Sequence, residues 1–494
     1  MFKKLLLPAV IASLCVVTSA QATIISGQLI AIGSLSGSSA GVNTDLSGLT
    51  GLLENGVAGN FLGGIGSGLA WAGGNTFLAT PDRGPNATTY NAAVDHTSSY
   101  ISRFHTITLD LTANTSGVGL AYNLTPTLTA TTLLSSATAL NYGTGTGLGN
   151  KLDGTPLGSG APVLNTTNST NYFTGRSDNY GSANALGAPD STSANPSNGR
   201  FDPEGVRVSN DGLSVFISDE YGPYVNQFNR TTGERIRSFA LPANLAVPNL
   251  DPVGATEIAN NTTTGRVTNK GMEGLAITPD GTMLVGIMQA ALGKDAAVDG
   301  KSIRIVTIDI ASGTTSQYAY RLTNGSGASE IIAINNHEFL VDERDGKGLG
   351  DSTNAVVKKL FKIDLAGATE VSGITGTSAL GAAAVSKTLF LDVAATLNAN
   401  GITPANVPAK IEAMAFGQDI TDNGTLFRTL YIANDNDFIP GTAGSNNFYV
   451  FAVAATALDY QAQQISAVPV PAAVWMFGTG LIGLLGSARK RAKA

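Results

Sequence analysis

The sequence predicts an all-β chain: a β-propeller of four-stranded blades, six by preference within a range of five to seven, followed by a C-terminal transmembrane helix. Three observations carry this. An outline of strand, tight turn, strand and acidic cluster recurs along the chain. The composition has 59 glycines and only 13% charged residues, which suits a turn-rich β protein. An uncharged apolar stretch near the C-terminus is stopped by a basic cluster.

Taken in order, residues 1–22 read as a secretory signal peptide. Lys3 and Lys4 form a positive head, Leu5 to Val17 is apolar apart from Pro8 and Ser13, and Ala20-Gln21-Ala22 offers small residues to a signal peptidase. The apolar run is too short to span a bilayer. Cys15 follows Leu14, where a lipobox needs a small side chain, and it is the only cysteine, so the chain beyond residue 22 forms no disulfide. At the other end no charge falls between Ala467 and Ala488, after which Arg489, Lys490, Arg491 and Lys493 crowd together. Residues 467–494 therefore read as a membrane span with a cytoplasmic tail, since a core helix has no use for such a cluster. The run Val468-Pro469-Val470-Pro471-Ala472-Ala473-Val474-Trp475 resembles the PEP-CTERM sorting tails in their VPLPA-type form, although that family's Glu is absent. The resemblance implies an exosortase-type transpeptidase as partner and cleavage near the proline motif. The helix would then hold the protein in the inner membrane only transiently, and the body would reach the cell surface or the medium.

The whole chain has 29 basic and 36 acidic residues; two lysines precede residue 23 and four cations follow residue 488, leaving 23 basic against 36 acidic, net −13. That excludes nucleic acid as a partner, because phosphate neutralisation needs clustered Lys and Arg. It suits an extracellular protein that binds divalent cations.

The propeller domain is expected over residues 23–460. Its clearest repeat is Lys270-Gly-Met-Glu273-Gly-Leu-Ala-Ile-Thr-Pro-Asp280-Gly, with a returning strand behind it. Asp202-Pro-Glu204-Gly leads to Asp219-Glu220, Ser329-Glu330 to Asp342-Glu343-Arg344, and Ile411-Glu412 to Asn434-Asp435-Asn436-Asp437. A partial copy runs from Ser67-Gly-Leu-Ala to Asp82-Arg83-Gly84. In each, an alternating apolar run predicts a half-buried strand, and Asp-Gly or Asn-Gly supplies a hairpin turn. The glutamates are 69, 57 and 82 residues apart, a blade-like period with insertions. Five blades are recognisable. A sixth is expected either from the region after Asp110 or through the N-terminal strand from Ile24 to Ile32 pairing with the last blade. The Gly/Ser/Asn/Thr-rich stretch 135–198 reads as an insertion with little core of its own.

The Pro-Glu-Gly and Met-Glu-Gly-Leu-Ala blade starts, Ser-Asp-Glu-Tyr, Asp-Arg-Gly and Ile-Glu-Ala-Met-Ala resemble the phytase-like esterase family over roughly residues 30 to 455. The resemblance implies phosphoester or carboxyester hydrolysis. Equivalent blade positions converge on one channel, so Glu204, Glu273, Glu330 and Glu412 are expected to face one another. Asp82, Asp219, Glu220, Asp342, Glu343 and Glu412 are the candidate ligands of Ca2+, which hard carboxylate oxygens suit. Glu204, Glu273, Arg83 and Arg344 are the candidate catalytic residues, the arginines facing an anionic ester. An alternative gives the repeated glutamates a backbone-bonding role between blades, and the rival function is a non-catalytic propeller that binds exopolysaccharide or matrix. Three histidines (His96, His105 and His337) spell no zinc site. Gly37-Ser-Ser-Ala-Gly41 lacks the context of a nucleophile elbow, and Gly478-Thr-Gly-Leu-Ile-Gly483 lies inside the tail.

Overall fold

The computed structural model describes residues 23–38, 41–85, 98–145, 148–176, 192–251, 254–296 and 299–466. The signal peptide and the C-terminal helix expected at 467–494 lie outside these. Among the described residues no helix is long and apolar enough to cross a membrane.

Five four-stranded antiparallel sheets follow one another around a ring. Blade one comprises Gly68–Trp71, Thr76–Thr80, Arg103–Ala113 and Tyr122–Leu133. Blades two, three and four start on Pro203–Val208, Met272–Ile277 and Gly327–Ala333 and end on Arg235–Ala240, Thr315–Arg321 and Lys387–Asp392. Blade five runs Ile411–Phe416, Thr425–Asn434, Asn446–Ala454, and takes Gln28–Leu35 as its outermost strand. The expected count of six is therefore corrected to five. The region after Asp110 completes blade one, and the N-terminal strand completes blade five, with Gln28 opposite Ala452 and Leu35 opposite Asn446. Joining the two ends of the chain in one sheet leaves the ring no loose edge strand between first and last blades.

Five apolar clusters confirm that the ring closes on five blades, because each lies between two neighbours. Leu78 and Phe104 meet Val206 and Phe228, Phe216 and Phe239 meet Leu275 and Leu284, and Val285 and Ile303 meet Ile331 and Phe339. Leu340 and Leu360 then meet Met414 and Leu430, while Tyr431 and Val450 meet Phe77 and Ile107. This explains a departure from the expected half-buried alternation. The innermost strands Pro203–Val208, Met272–Ile277 and Ile411–Phe416 are buried at every position, since one face packs on each neighbouring blade. Alternation with exposed positions appears on outer strands such as Arg235–Ala240.

The inner strands approach so closely that only glycine fits between them. A Cβ on Gly274 would stand 2.6 Å from Glu330 Cα, and one on Gly205 would stand 2.5 Å from Leu275 N. Gly274→Ala is expected to cost about 1–3 kcal/mol by overpacking. Gly346→Ala, which meets nothing within 4 Å, is expected to leave the melting temperature unchanged; both are read by thermal unfolding.

The insertion has more core than its composition suggests. Its described part carries the short helix Val163–Asn168, and Phe173 packs against Phe201 at 5.5 Å and Phe228 at 5.9 Å. After blade five the chain crosses the far end of the channel. Gln461 N bonds Ile334 O at 2.8 Å, Gln463 Nε2 bonds Val208 O at 2.8 Å, and Ser466 N bonds Asn210 O at 2.8 Å. At that far end the crossing segment lines a pocket together with Arg207, Ile277, Ile332 and Met414.

Candidate functional site at the channel mouth

The opposite end is where the innermost strands begin, and a β-bulge marks each of four starts. Pairing slips between Pro203 and Val206, Met272 and Gly274, Ala328 and Glu330, and Ile411 and Ala413. A bulge re-aims the extra side chain out of the ladder. The residues it frees here are Glu204, Glu273, Ser329 and Glu412, with Ser67 at the matching place before Gly68. Glu330 is thus one residue out of the ring in which it was expected. It accepts from the amides of Leu275 at 3.1 Å and Ile331 at 2.9 Å, and pairs with Arg207 at 3.0 Å. The backbone-bonding role describes Glu330 alone.

The second ring follows from register. Glu220, Gln289 and Asp435 each donate a backbone N–H to the residue two before the bulge, Asp202, Gly271 and Lys410, at 2.9, 2.8 and 3.0 Å. Asp82 lies two residues past the corresponding strand of blade one, and Arg344 ends that of blade four. Together with Asp437, these positions gather eight carboxylates (Asp82, Asp202, Glu204, Glu220, Glu273, Glu412, Asp435, Asp437) around three cations, Arg83, Arg344 and Lys410.

Each cation bridges. Arg83 Nη1 lies 2.8 Å from Asp202 and 3.9 Å from Glu220, and its amide bonds Asp202 at 3.0 Å. Arg344 pairs with Glu412, reaches Glu273 at 3.5 Å, and donates from Nε to Ser329 Oγ at 2.5 Å. Lys410 pairs with Asp435 at 3.1 Å and with Asp437. Two triads, Asp202/Glu204/Glu220 and Asp82/Asp435/Asp437, bring carboxylate oxygens within 4.8 Å of one another. Burial, reinforced by neighbouring carboxylates, pushes Glu204, Glu273, Glu220 and Asp82 upward, and Asp435 up to about 7. Glu220 Oε1 and Glu273 Oε2 are buried without a hydrogen-bond partner among the described residues.

Asp437 and Phe438 hold positive φ angles of 50° and 57°. Asp tolerates this region but Phe does not, so the surroundings must impose it at Phe438. Asn436 Oδ1 accepts from Gly64 N at 3.0 Å and Phe438 N at 3.2 Å, and the Phe438 ring packs on Tyr100 at 5.2 Å. The strained turn fixes Asp437 beside Asp82.

Three expected ligands lie elsewhere. Asp219 accepts from the amides of Asp202 at 3.1 Å and Tyr221 at 2.9 Å and so holds the turn after its strand. Glu343 points to the opposite face from Arg344, where it pairs with Lys387 and accepts from Tyr320 Oη at 2.7 Å. Asp342 lies deeper, opposite Glu330, fully buried with neither oxygen bonded, and burial raises it to about 8. Sequence reasoning missed Asp202, Lys410 and Gln289. Asp202 and Lys410 share one position, two residues before a bulged glutamate, which is the signal that would have found them. His105 is buried against Thr131, His337 faces Asp364 at the surface, and His96 is outside the described residues.

A secreted protein of Arthroderma benhamiae, described as uncharacterized, is 30% identical over 179 residues, which span 29% of this chain and 34% of that protein. The chain thus matches about a third of that relative's length. Solved structures resemble it only distantly. The PQQ-bound aldose sugar dehydrogenase of Streptomyces coelicolor is 10% identical over 87% of this chain and 96% of its own, with a TM-score of 0.29. A Lactobacillus plantarum protein is 10% identical over 81% and 85%, with a TM-score of 0.30. These scores are too low to bear on fold or function. The family model for phytase-like proteins, described as "esterase-like activity of phytase", matches residues 60–438, all five inner strands included, and the chain belongs to that family.

Proposed function

We propose that the protein is an exported, Ca2+-dependent ester hydrolase of the phosphoester type, working at the channel mouth. The observation that carries this reading is the convergence of ionisable residues from all five blades on one end of the channel, opposite the end that residues 461–466 cross. The family's description as esterase-like and the secreted relative support it, as does the signal-peptide pattern that the sequence carries at residues 1–22.

The triad Asp202/Glu204/Glu220 fits Ca2+ best. Its donors are hard oxygens, Arg83 and the more distant Arg266 leave its three charges incompletely offset, and Glu220 Oε1 is buried without a hydrogen-bond partner. Bound there, Ca2+ would supply charge to polarise a phosphoryl or acyl oxygen. In the other triad Lys410 already pairs with two of the three carboxylates. Glu273 is placed to move a proton. Gln289 Nε2, at 2.6 Å, and Arg344 both hold its Oε1, which leaves Oε2 to take a proton, and burial with the neighbouring carboxylates raises its pKa, the direction a general base needs. Arg83 lies beside the triad where an anionic ester group would enter.

The test is turnover of p-nitrophenyl phosphate and p-nitrophenyl acetate. Chelation is expected to abolish it and added Ca2+ to restore it, while Glu273→Gln lowers kcat/KM by about a hundredfold or more. No turnover of either ester, with chelation lowering only thermal stability, would leave a polysaccharide-binding propeller in its place.

A further inference from the structure

The chain beyond residue 22 has no cysteine, so its blades hold without the disulfides that staple many exported proteins. Between blades three and four a lysine and a glutamate meet in a dry pocket. Glu343, fully buried near the end of Glu338–Arg344, pairs with Lys387, the first residue of Lys387–Asp392. The Lys387 Nζ lies 4.4 and 4.5 Å from the ring centroids of Tyr320 and Phe361, and its side chain is only 16% exposed.

The groups that an acyl transfer needs are in contact here. Nζ is the nucleophile and Glu343 Cδ the electrophile. Oε2 accepts from the Thr323 amide at 3.0 Å, the place of an oxyanion-hole donor. Oε1 accepts from Tyr320 Oη at 2.7 Å, and that hydroxyl in turn receives from Nζ at 3.3 Å. Tyr320, itself fully buried, thus stands between nucleophile and leaving oxygen, where it can pass a proton from one to the other. Two opposite charges kept out of water carry a desolvation cost that a neutral amide does not.

We propose that Lys387 and Glu343 join in an isopeptide bond that staples the second strand of blade four to its fourth. The Nζ–Cδ bond forms and the Cδ–Oε1 bond breaks. Of the three ammonium protons, one stays on the amide nitrogen. The other two leave on Oε1 as water, one directly across the Nζ–Oε1 contact and one through Tyr320. Nothing is oxidised or reduced, and no co-reactant enters. The staple shares no side chain with the carboxylate triads, so it stands whether or not the mouth hydrolyses esters.

Mass spectrometry of the denatured full chain tests it. The chain is expected to be lighter than its sequence by the mass of one water, and proteolysis to release one branched peptide joining Glu343 to Lys387. Lys387→Arg keeps the charge and is expected to show the unlinked mass and to melt earlier. Tyr320→Phe keeps the ring and is expected to slow the mass change about a hundredfold in freshly synthesised chain. A parent at its full sequence mass, or a lost water that maps to any other residues, would overturn the assignment. So would a Lys387→Arg variant as light as the linked parent, and a Tyr320→Phe variant that links as fast as the parent would overturn the relay.

Discussion

Replacing Arg344 with methionine is expected to cost about 3–5 kcal/mol of folding stability, the penalty for removing one partner from a buried ion pair. Arg344 is 9% exposed, and its guanidinium joins Glu273 of blade three, Ser329 of blade four and Glu412 of blade five. Methionine keeps much of the volume but leaves Glu273 and Glu412 facing each other with no cation between them. Asp342, directly beneath, loses the nearest charge that holds its pKa down. The strands cannot spread, because the glycine contacts already fix their spacing. The carboxyls must take up protons instead, so the loss is expected to be larger at pH 8 than at pH 5. Denaturant unfolding of the single variant and of Arg344→Met with Glu412→Gln checks this. The double variant is expected to recover part of the loss, since it removes a carboxylate that the single variant strands. A single variant as stable as the parent would show that solvent, and not Arg344, neutralises the ring.

Most of the blade plan was legible in the sequence, because turn signals and apolar runs are local. The blade number was not. It depends on pairing Gln28–Leu35 with Asn446–Ala454, a contact that no local pattern encodes. Glu204, Glu273 and Glu412 were legible as one ring because Gly-Val-Arg, Gly-Leu-Ala and Ala-Met-Ala follow them in the same register. Ser329-Glu330 misled because the bulge, not the residue type, decides which of two neighbours enters the channel. Asp219 and Glu343 misled for a related reason. Consecutive strand residues face opposite sides, so an acidic pair sends only one member inward. Glu220 points into the mouth where Asp219 caps a turn, and Arg344 points in where Glu343 ties blade four to Tyr320.

Without divalent cations, stability is expected to fall as pH rises from about 5 to 8. Burial raises Asp342 to about 8 and Asp219, Asp435 and Glu330 to about 7, whereas in the unfolded chain such groups titrate near about 4. Between those limits the folded form keeps protons that the unfolded form has released, so each added unit of pH favours unfolding. The contribution is whole below about pH 4 and gone once pH passes the folded values. Surface carboxyls such as Asp309, Glu338 and Asp364 are depressed by hydrogen bonds and a lysine, and their opposite contribution is lost only on the acid side. Asp342→Asn removes the charge without changing the shape. It is expected to flatten the slope between pH 5 and 8 and to narrow the stability lost by pH 8, because the amide has no proton to release on unfolding. Ca2+ is expected to do the same from outside, stabilising the parent more at pH 8 than at pH 5, because it binds carboxylates that have lost their protons. Melting curves in chelator and in Ca2+ across this range read both effects. A stability that climbs steadily from pH 5 to 8 in chelator would mean that these carboxylates are already compensated in the folded chain, and the mouth would then have no need of a metal.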